Sequence, residues 1–338
     1  MNGSSHRQSV YFTAPRQVAV VEEPIAQPSA GELLVETIVS AISPGTELLV
    51  YRDEVPATMT LDASIPGLTG TSRFPMKYGY AAVGRVVAAG PAADGDWLGR
   101  LVFSMNPHES HFLAAAQDLL PVPDGIGADD AALFANVETA VTLTMDGRPM
   151  VGEHVAVFGQ GVVGLLTTAL LARFPLAGLV TVDLHPLRRR LSIELGAQEA
   201  VDPGAGAGVD AGERGFDLTY ELSGSPDVLD QAIAVTRFHG RVVIGSWYGK
   251  RRAPVDLGGT FHRSRMQLVS SQVSTIDPAL SGRWTSERRR GVAWSLLGDL
   301  RPARIVTHRV PLAAAADAYE LLDRHPDEAV QILLTYGA

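Results

Sequence analysis

The chain predicts an α/β protein of two domains, a mostly β domain interrupted by a doubly wound parallel sheet. Three observations carry this. Up to about residue 125, short apolar runs alternate with glycine- and proline-marked turns. From about 136 to 272, strand-like and helix-like patterns alternate. Within the second stretch lies Gly159-x-Gly161-x-x-Gly164, directly after the apolar strand "HVAVF" and opening an apolar helix.

In order, "QVAVVEE" and "ELLVETIVSAI" read as strands joined by the turn-rich "PIAQPSAG". "YGYAAVGRVVAAG", "GRLVFSM" and "HESHFLAAAQDLLPVPDG" continue the β pattern. The pattern changes at Gly127, where "ADDAALFANVETAVTLTMDG" has helical spacing. "FDLTYELSG", "VLDQAIAVTRFHG", "GRVVIGSWYG" and "MQLVSSQV" then sustain the strand–helix alternation. The tail, 273–338, reads as mainly helical with strands near 304–310 and 329–335. It is too short for a third domain and is expected to return to the first. The expected division is therefore 1–135 with 273–338, and 136–272.

Composition bounds the rest. The 338 residues carry a formal net charge of -9, and 46% are hydrophobic, ample for two cores. No broad basic surface is indicated, so nucleic acid is not an expected partner. The runs Arg188–Arg190 and Arg288–Arg290 read as local solvated faces. There is no cysteine, which excludes disulfides, thiolate metal ligands and a cysteine nucleophile. No apolar run reaches membrane-spanning length and no secretory signal is visible. A cytoplasmic protein with no membrane partner is the expectation.

The glycine pattern carries the first chemistry. Gly159 allows a tight turn, Gly161 a close backbone approach to a pyrophosphate, and Gly164 close packing of helix on strand. Gly161, Val162, Val163 and Gly164 open the helix, whose free amides suit phosphate charge. The next strand, "LVTVD", ends in Asp183, placed to accept hydrogen bonds from an adenosine ribose. A carboxylate there disfavours a 2'-phosphate, so NAD is expected; NADP stays open because His185, Arg188 and Arg189 follow. Ser223, Gly224, Gly245, Ser246 and Trp247 end later strands at the carboxyl edge, where ligands gather. The last three are expected to line the nicotinamide end.

Element order and "VFGQGVVGLL" together resemble the medium-chain dehydrogenase/reductase superfamily. "VSAISPGTELLVYRDEVP" and "SSQVSTIDPALSGRWTSERRR" are similar in style to a branch of alcohol, polyol and bacteriochlorophyllide dehydrogenases. The resemblance implies a GroES-like catalytic domain, a Rossmann cofactor domain, a small-molecule substrate and a homodimer. It also implies a place for zinc, and there the chain departs from the pattern. Ser43 stands where a cysteine ligand is found, and Tyr80 and Ala81 where a Gly-His-Glu triplet supplies histidine and glutamate. Glu138 falls near the last ligand. Serine, tyrosine and alanine make no zinc shell, so no metal is expected.

Without a metal, hydrogen-bond donors must handle the substrate oxygen. Tyr80 is the leading candidate, with Ser43 and Thr46 of the "SPGTE" loop as hydroxyl relays. Glu47 reads either as an orienting carboxylate or as a helix-start partner. Glu138 is a candidate acid/base or a structural helix residue. His108 is a candidate substrate contact, and Lys77 a secondary candidate. The expected activity is zinc-independent hydride transfer between a nicotinamide and a polar secondary alcohol or ketone. Sugars, cyclitols and natural-product intermediates are the candidate substrates. The alternatives are a quinone or enoyl double-bond reductase and, with less support, a non-enzymatic NAD(H)-sensing module.

Overall fold

A computed structural model describes residues 6–61, 68, 70–204, 209, 212 and 215–337. The chain divides into two compact units, Met1–Ala135 with Arg301–Ala338, and Asn136–Leu300.

The first unit opens with strands β1 (His6–Ala14), β2 (Gln17–Pro24) and β3 (Glu32–Ala41), then the short helix α1 (Pro44–Tyr51). Strands β4 (Ala82–Ala89), β5 (Leu101–Ser104), β6 (His111–Ala115) and β7 (Leu119–Pro121) follow, and then helix α2 (Ala128–Ala131). The second unit takes most of α3 (Phe134–Gly147), then β8 (His154–Phe158), α4 (Val162–Leu171), β9 (Gly178–Val182) and α5 (Pro186–Glu194). It continues with β10 (Glu199–Val201), β11 (Phe216–Glu221), α6 (Val228–Val235), β12 (Thr236–Ile244), β13 (Gln267–Ser270) and α7 (Ser286–Leu300). The chain then returns to the first unit as β14 (Val306–Pro311), α8 (Ala315–Arg324) and β15 (Gln331–Thr335).

In the first unit β1 and β2 form a two-stranded antiparallel hairpin. A seven-stranded sheet runs β14-β15-β3-β4-β5-β7, with β6 also paired to β3. The C-terminal β15 lies antiparallel to β3, Leu334 opposite Ser40, so the tail completes a sheet that the N-terminal segment begins. Val35, Val86, Val102 and Phe112 pack in its core.

The second unit is a parallel sheet in the order β10-β9-β8-β11-β12-β13. Both its faces are covered, which explains why "HVAVF" is continuously apolar rather than alternating. Ala156 and Phe158 meet Leu229 and Ile233 of α6 on one face. Val155 and Val157 meet Leu143 of α3 and Leu171 at the end of α4 on the other.

The expected return at residue 273 falls later. Residues 273–300 belong with the second unit because α7 is anchored there. The buried Arg289 of α7 donates from Nε and Nη2 to Glu138 Oε1 of α3, at 3.1 and 3.0 Å. A buried arginine would be costly without this partner. Arg289→Met is expected to lower stability by about 3 kcal/mol, because it leaves Glu138 as a buried, unpaired carboxylate. Urea unfolding monitored by circular dichroism reads this directly.

The hairpin is riveted to the first unit by charge. Lys77 Nζ lies 2.5 Å from both Glu23 Oε2 and Glu109 Oε1, and Arg7 reaches the same two carboxylates. This removes Lys77 from the substrate-facing candidates. Burial raises the pKa of Glu23, but hydrogen bonds from Lys77, Tyr11 and Ser9 outweigh it and bring it down to about 2. A depressed carboxylate stabilises the fold above its unfolded value of 4.5, and that contribution fades as pH falls toward about 2. Thermal unfolding followed down this range is expected to show a steeper loss of stability in the wild type than in Glu23→Gln.

Candidate active site

The second unit builds the glycine turn as its spacing requires. Gly159 has φ +87°, a conformation costly for any residue with a Cβ. A Cβ on Gly164 would lie 2.0 Å from the carbonyl oxygen of Gly159, so only glycine lets α4 meet the turn this closely. Around Gly161 there is open space, and its residue caps α4 without any side-chain bond. The first amides of α4 are therefore available to an anion. These features fit a dinucleotide pyrophosphate. Val162 is buried and Val163 packs on the core, so both serve by backbone position rather than by side-chain contact.

Asp183 follows β9 and is nearly buried. Its Oδ2 accepts from Gln160 N at 2.7 Å and its Oδ1 from His185 N at 2.8 Å. The carboxylate thus braces the glycine turn, while its remaining lone pairs can accept from a ribose. Arg189 holds the backbone here, donating to the carbonyls of Asp183 and Leu184 and pairing with Asp202. Arg188 is half-buried on α5.

Further along the carboxyl edge, the structure adds a residue the sequence reading passed over. Glu221 ends β11 with no exposure, and accepts from Ser223 N at 2.9 Å, Ser223 Oγ and Tyr248 OH. Burial and this bond push the Tyr248 phenol far above its ordinary pKa. Gly224 N donates to Ser246 Oγ at 2.9 Å, which ties the two turns together. A Cβ on Gly245 would sit 2.6 Å from Leu143 and Leu222, so its backbone lies close over the core. Trp247 is half-buried beside them.

The first unit gathers Ser43, Glu47, Tyr80 and His108. Pro44 starts α1, and Ser43 precedes it in an extended conformation. The Ser43 hydroxyl does not cap the helix but meets Tyr80 OH at 2.5 Å. Glu47 reaches back instead, Oε1 accepting from Ser43 N at 2.7 Å. Its Oε2 takes His108 Nε2 at 3.0 Å and Tyr319 OH at 2.5 Å. On the other side of the imidazole, Nδ1 is 2.7 Å from Ser40 Oγ, which lies 2.6 Å from Tyr336 OH. Glu47 and His108 have 0% exposure.

That burial corrects two candidates. His108 has no exposed surface with which to touch substrate, and Glu47 is committed to three donors. Both are held in a buried hydrogen-bond network that reaches Ser43 through its amide. The ring of His108 also lies under Gly79, where an added Cβ would stand 2.8 Å from it, so the turn carrying Tyr80 rests on the imidazole. Thr46 is half-buried in the first turn of α1, and its amide bonds Ser43 O at 3.2 Å. Glu138 belongs to the second unit and is buried in an ion pair with Arg289, the arrangement of a structural helix residue. Local spacing carried no signal for Tyr319 or Tyr336, since they arrive from the far end of the chain.

Zinc does not fit this donor set. Ser43 and Tyr80 offer neutral hydroxyls already bonded to each other, and Ala81 offers nothing. Among the described residues no group of three or more His, Asp or Glu is arranged to hold a metal ion.

Comparison with known proteins places the chain in a class. A family profile described as zinc-binding dehydrogenase matches residues 162–282. D-guloside 3-dehydrogenase of Escherichia coli K12 is 23% identical, over 96% of this chain and 98% of the relative. 2-Desacetyl-2-hydroxyethyl bacteriochlorophyllide A dehydrogenase of Cereibacter sphaeroides is 26% identical, over 96% and 97%. The solved structure of L-idonate 5-dehydrogenase from E. coli superposes with a TM-score of 0.79 at 19% identity, covering 98% of each chain. An alcohol dehydrogenase from E. coli CFT073, complexed with NADH, gives 0.78 at 18% identity, covering 98% of this chain and 100% of that one. The fold is that of the medium-chain dehydrogenase/reductase superfamily, and the resemblance seen in the sequence holds over nearly the whole chain.

Gly164→Ala is expected to abolish measurable NADH binding by calorimetry, because its methyl group would collide with backbone rather than with a flexible side chain.

Proposed function

We propose that the protein is an NAD(P)-dependent dehydrogenase/reductase that interconverts a polar secondary alcohol and its ketone without zinc. The cofactor reading is supported by the glycine turn, the open amides of α4 and Asp183. Whole-length similarity to dehydrogenases of a sugar derivative and a bacteriochlorophyllide supports the reaction class. NAD is preferred over NADP because the carboxylate of Asp183 faces the position a 2'-phosphate would need. The observation that carries metal independence is the Tyr80–Ser43 hydroxyl pair, 2.5 Å apart where the zinc-using pattern has ligands.

When bound, the nicotinamide supplies or accepts the hydride. The chain's own residues then have one task, the charge and proton on the substrate oxygen. Tyr80, the more exposed of the pair, donates its O–H to a ketone oxygen and passes the proton as alkoxide character develops. The Ser43 O–H turns toward the phenolate that results. In the oxidative direction the Tyr80 phenolate accepts the alcohol proton, with the Ser43 O–H donating to it. Glu47 and His108 hold the pair in place from beneath, which reduces the reorganisation needed at each turnover.

A homodimer and a cytoplasmic setting complete the proposal. β13 ends the parallel sheet, so one side of it is available for edge pairing with a second copy. No helix among the described residues is long and apolar enough to cross a membrane.

The test uses purified protein and a panel of polyols, ketoses, secondary alcohols and activated alkenes. With whichever carbonyl pair turns over, Tyr80→Phe is expected to lower kcat by about 10²- to 10³-fold, with NADH affinity unchanged. Turnover confined to alkenes, or full carbonyl reduction by Tyr80→Phe, defeats the assignment. Stoichiometric zinc on which activity depends defeats metal independence.

A further inference from the structure

At the end of the second unit remote from the glycine turn lies a groove of about 700 Å³. Its walls come from the C-terminal half of α3, the end of α4, α7 and the 279–284 segment before α7. The glycine turn meets the first residue of the ten-residue α4, and the groove meets its last turn. The two therefore lie about 15 Å apart, at opposite ends of one helix. No part of the cofactor reading uses this groove.

Its chemistry is divided. The walls are mostly apolar, with Val141, Met145, Leu170, Trp284, Val292 and Leu296 among them. Three arginines also line it: Arg148, Arg173 and Arg283. Two of them are neutralised, Arg148 by Asp277 at 2.5 Å and Arg173 by Asp299 at 3.3 Å. Among the described residues, no carboxylate pairs with Arg283, whose side chain is exposed. Arg288 adds a second cation nearby, its guanidinium 4.1 Å from the centre of the Trp284 ring and donating to the Arg283 carbonyl. In a chain of net charge -9, Arg283 thus stands as an exposed cation at the edge of an apolar groove.

We infer that this groove is a second ligand site, which takes an amphipathic carboxylate: an alkyl chain between α3, α4 and α7, and an anionic head on Arg283. The volume lies in the range of small-molecule sites. The tail removes apolar wall from water, as an exposed patch of this kind favours. The planar guanidinium accepts a carboxylate through two parallel N–H donors, which makes the head specific for an anion.

Dodecanoate is the probe, titrated below its aggregation range into the full-length protein by calorimetry, with Trp284 fluorescence in parallel. Saturable binding of one dodecanoate per chain is expected, with saturating NADH leaving it intact. Arg283→Met, an exposed change that spares the fold, is expected to weaken binding about tenfold, in line with loss of one charge-assisted contact. Dodecanol and hexanoate should each bind more weakly, the first lacking the charge and the second the tail. A Trp284→Phe variant should keep calorimetric binding and lose the fluorescence change. The inference is overturned by absent or unsaturable binding, by affinity indifferent to Arg283→Met, or by competition with NADH. It is equally overturned if sedimentation shows that Arg283→Met or Val292→Asp dissociates an oligomer, which would make the groove an interface between copies.

Discussion

A single buried carboxylate organises the catalytic unit. Glu47 has no exposed surface, and it holds the amide of Ser43, the imidazole of His108 and the phenol of Tyr319. An unpaired charge at that depth would be strongly destabilising, so the three donors must arrive together. They come from the start of α1, the segment before β6 and helix α8. Satisfying one carboxylate therefore joins the N-terminal, middle and C-terminal parts of the unit. The hydroxyl pair of Ser43 and Tyr80 inherits its geometry from that closure. Ser43 is held by its amide, and Tyr80 follows a glycine seated on the His108 ring.

The cofactor unit repeats the device with different residues. Asp183 receives the amide of Gln160 and Glu221 the amide of Ser223, so each carboxylate pins a turn at the carboxyl edge of the sheet. A Cβ on Gly159 would lie 2.4 Å from Ser223, so the two turns are packed directly against one another. The turns at this edge are thus tied by the chain's own hydrogen bonds and packing, a preorganisation that lowers the ordering cost of binding. Glu138 and Arg289 do for α7 what Glu47 does for α8. In each case a buried acid fixes a late helix to an early one.

Much of this was legible locally. The glycine turn, Asp183 and the replaced triplet at Tyr80–Ala81 are encoded within a few residues, where backbone sterics and side-chain chemistry act at short range. The strand and helix patterns of both units likewise follow from apolar spacing. The roles of Glu47, His108 and Glu138 were not legible in the same way. As letters, a glutamate four residues after a serine and a histidine 61 positions further on are chemistry-bearing residues with open roles. Burial and partners decide between acting and positioning, and neither is a local property. Tyr319, Tyr336 and Glu221 had no local signal at all, and the run Arg288–Arg290 read as a solvated face although its middle residue, Arg289, is buried on Glu138.

The amino-acid sequence by itself determined the class of fold, the cofactor turn and the absence of thiolate ligands, because each depends on residue type and near-neighbour spacing. Only the tertiary structure decided which acids face solvent and which are consumed by buried donors. It also placed residues 273–300 with the cofactor unit, where Arg289 reaches Glu138, 151 positions away. Such choices turn on desolvation, which is set by everything packed around a group and so is settled only when the chain has closed.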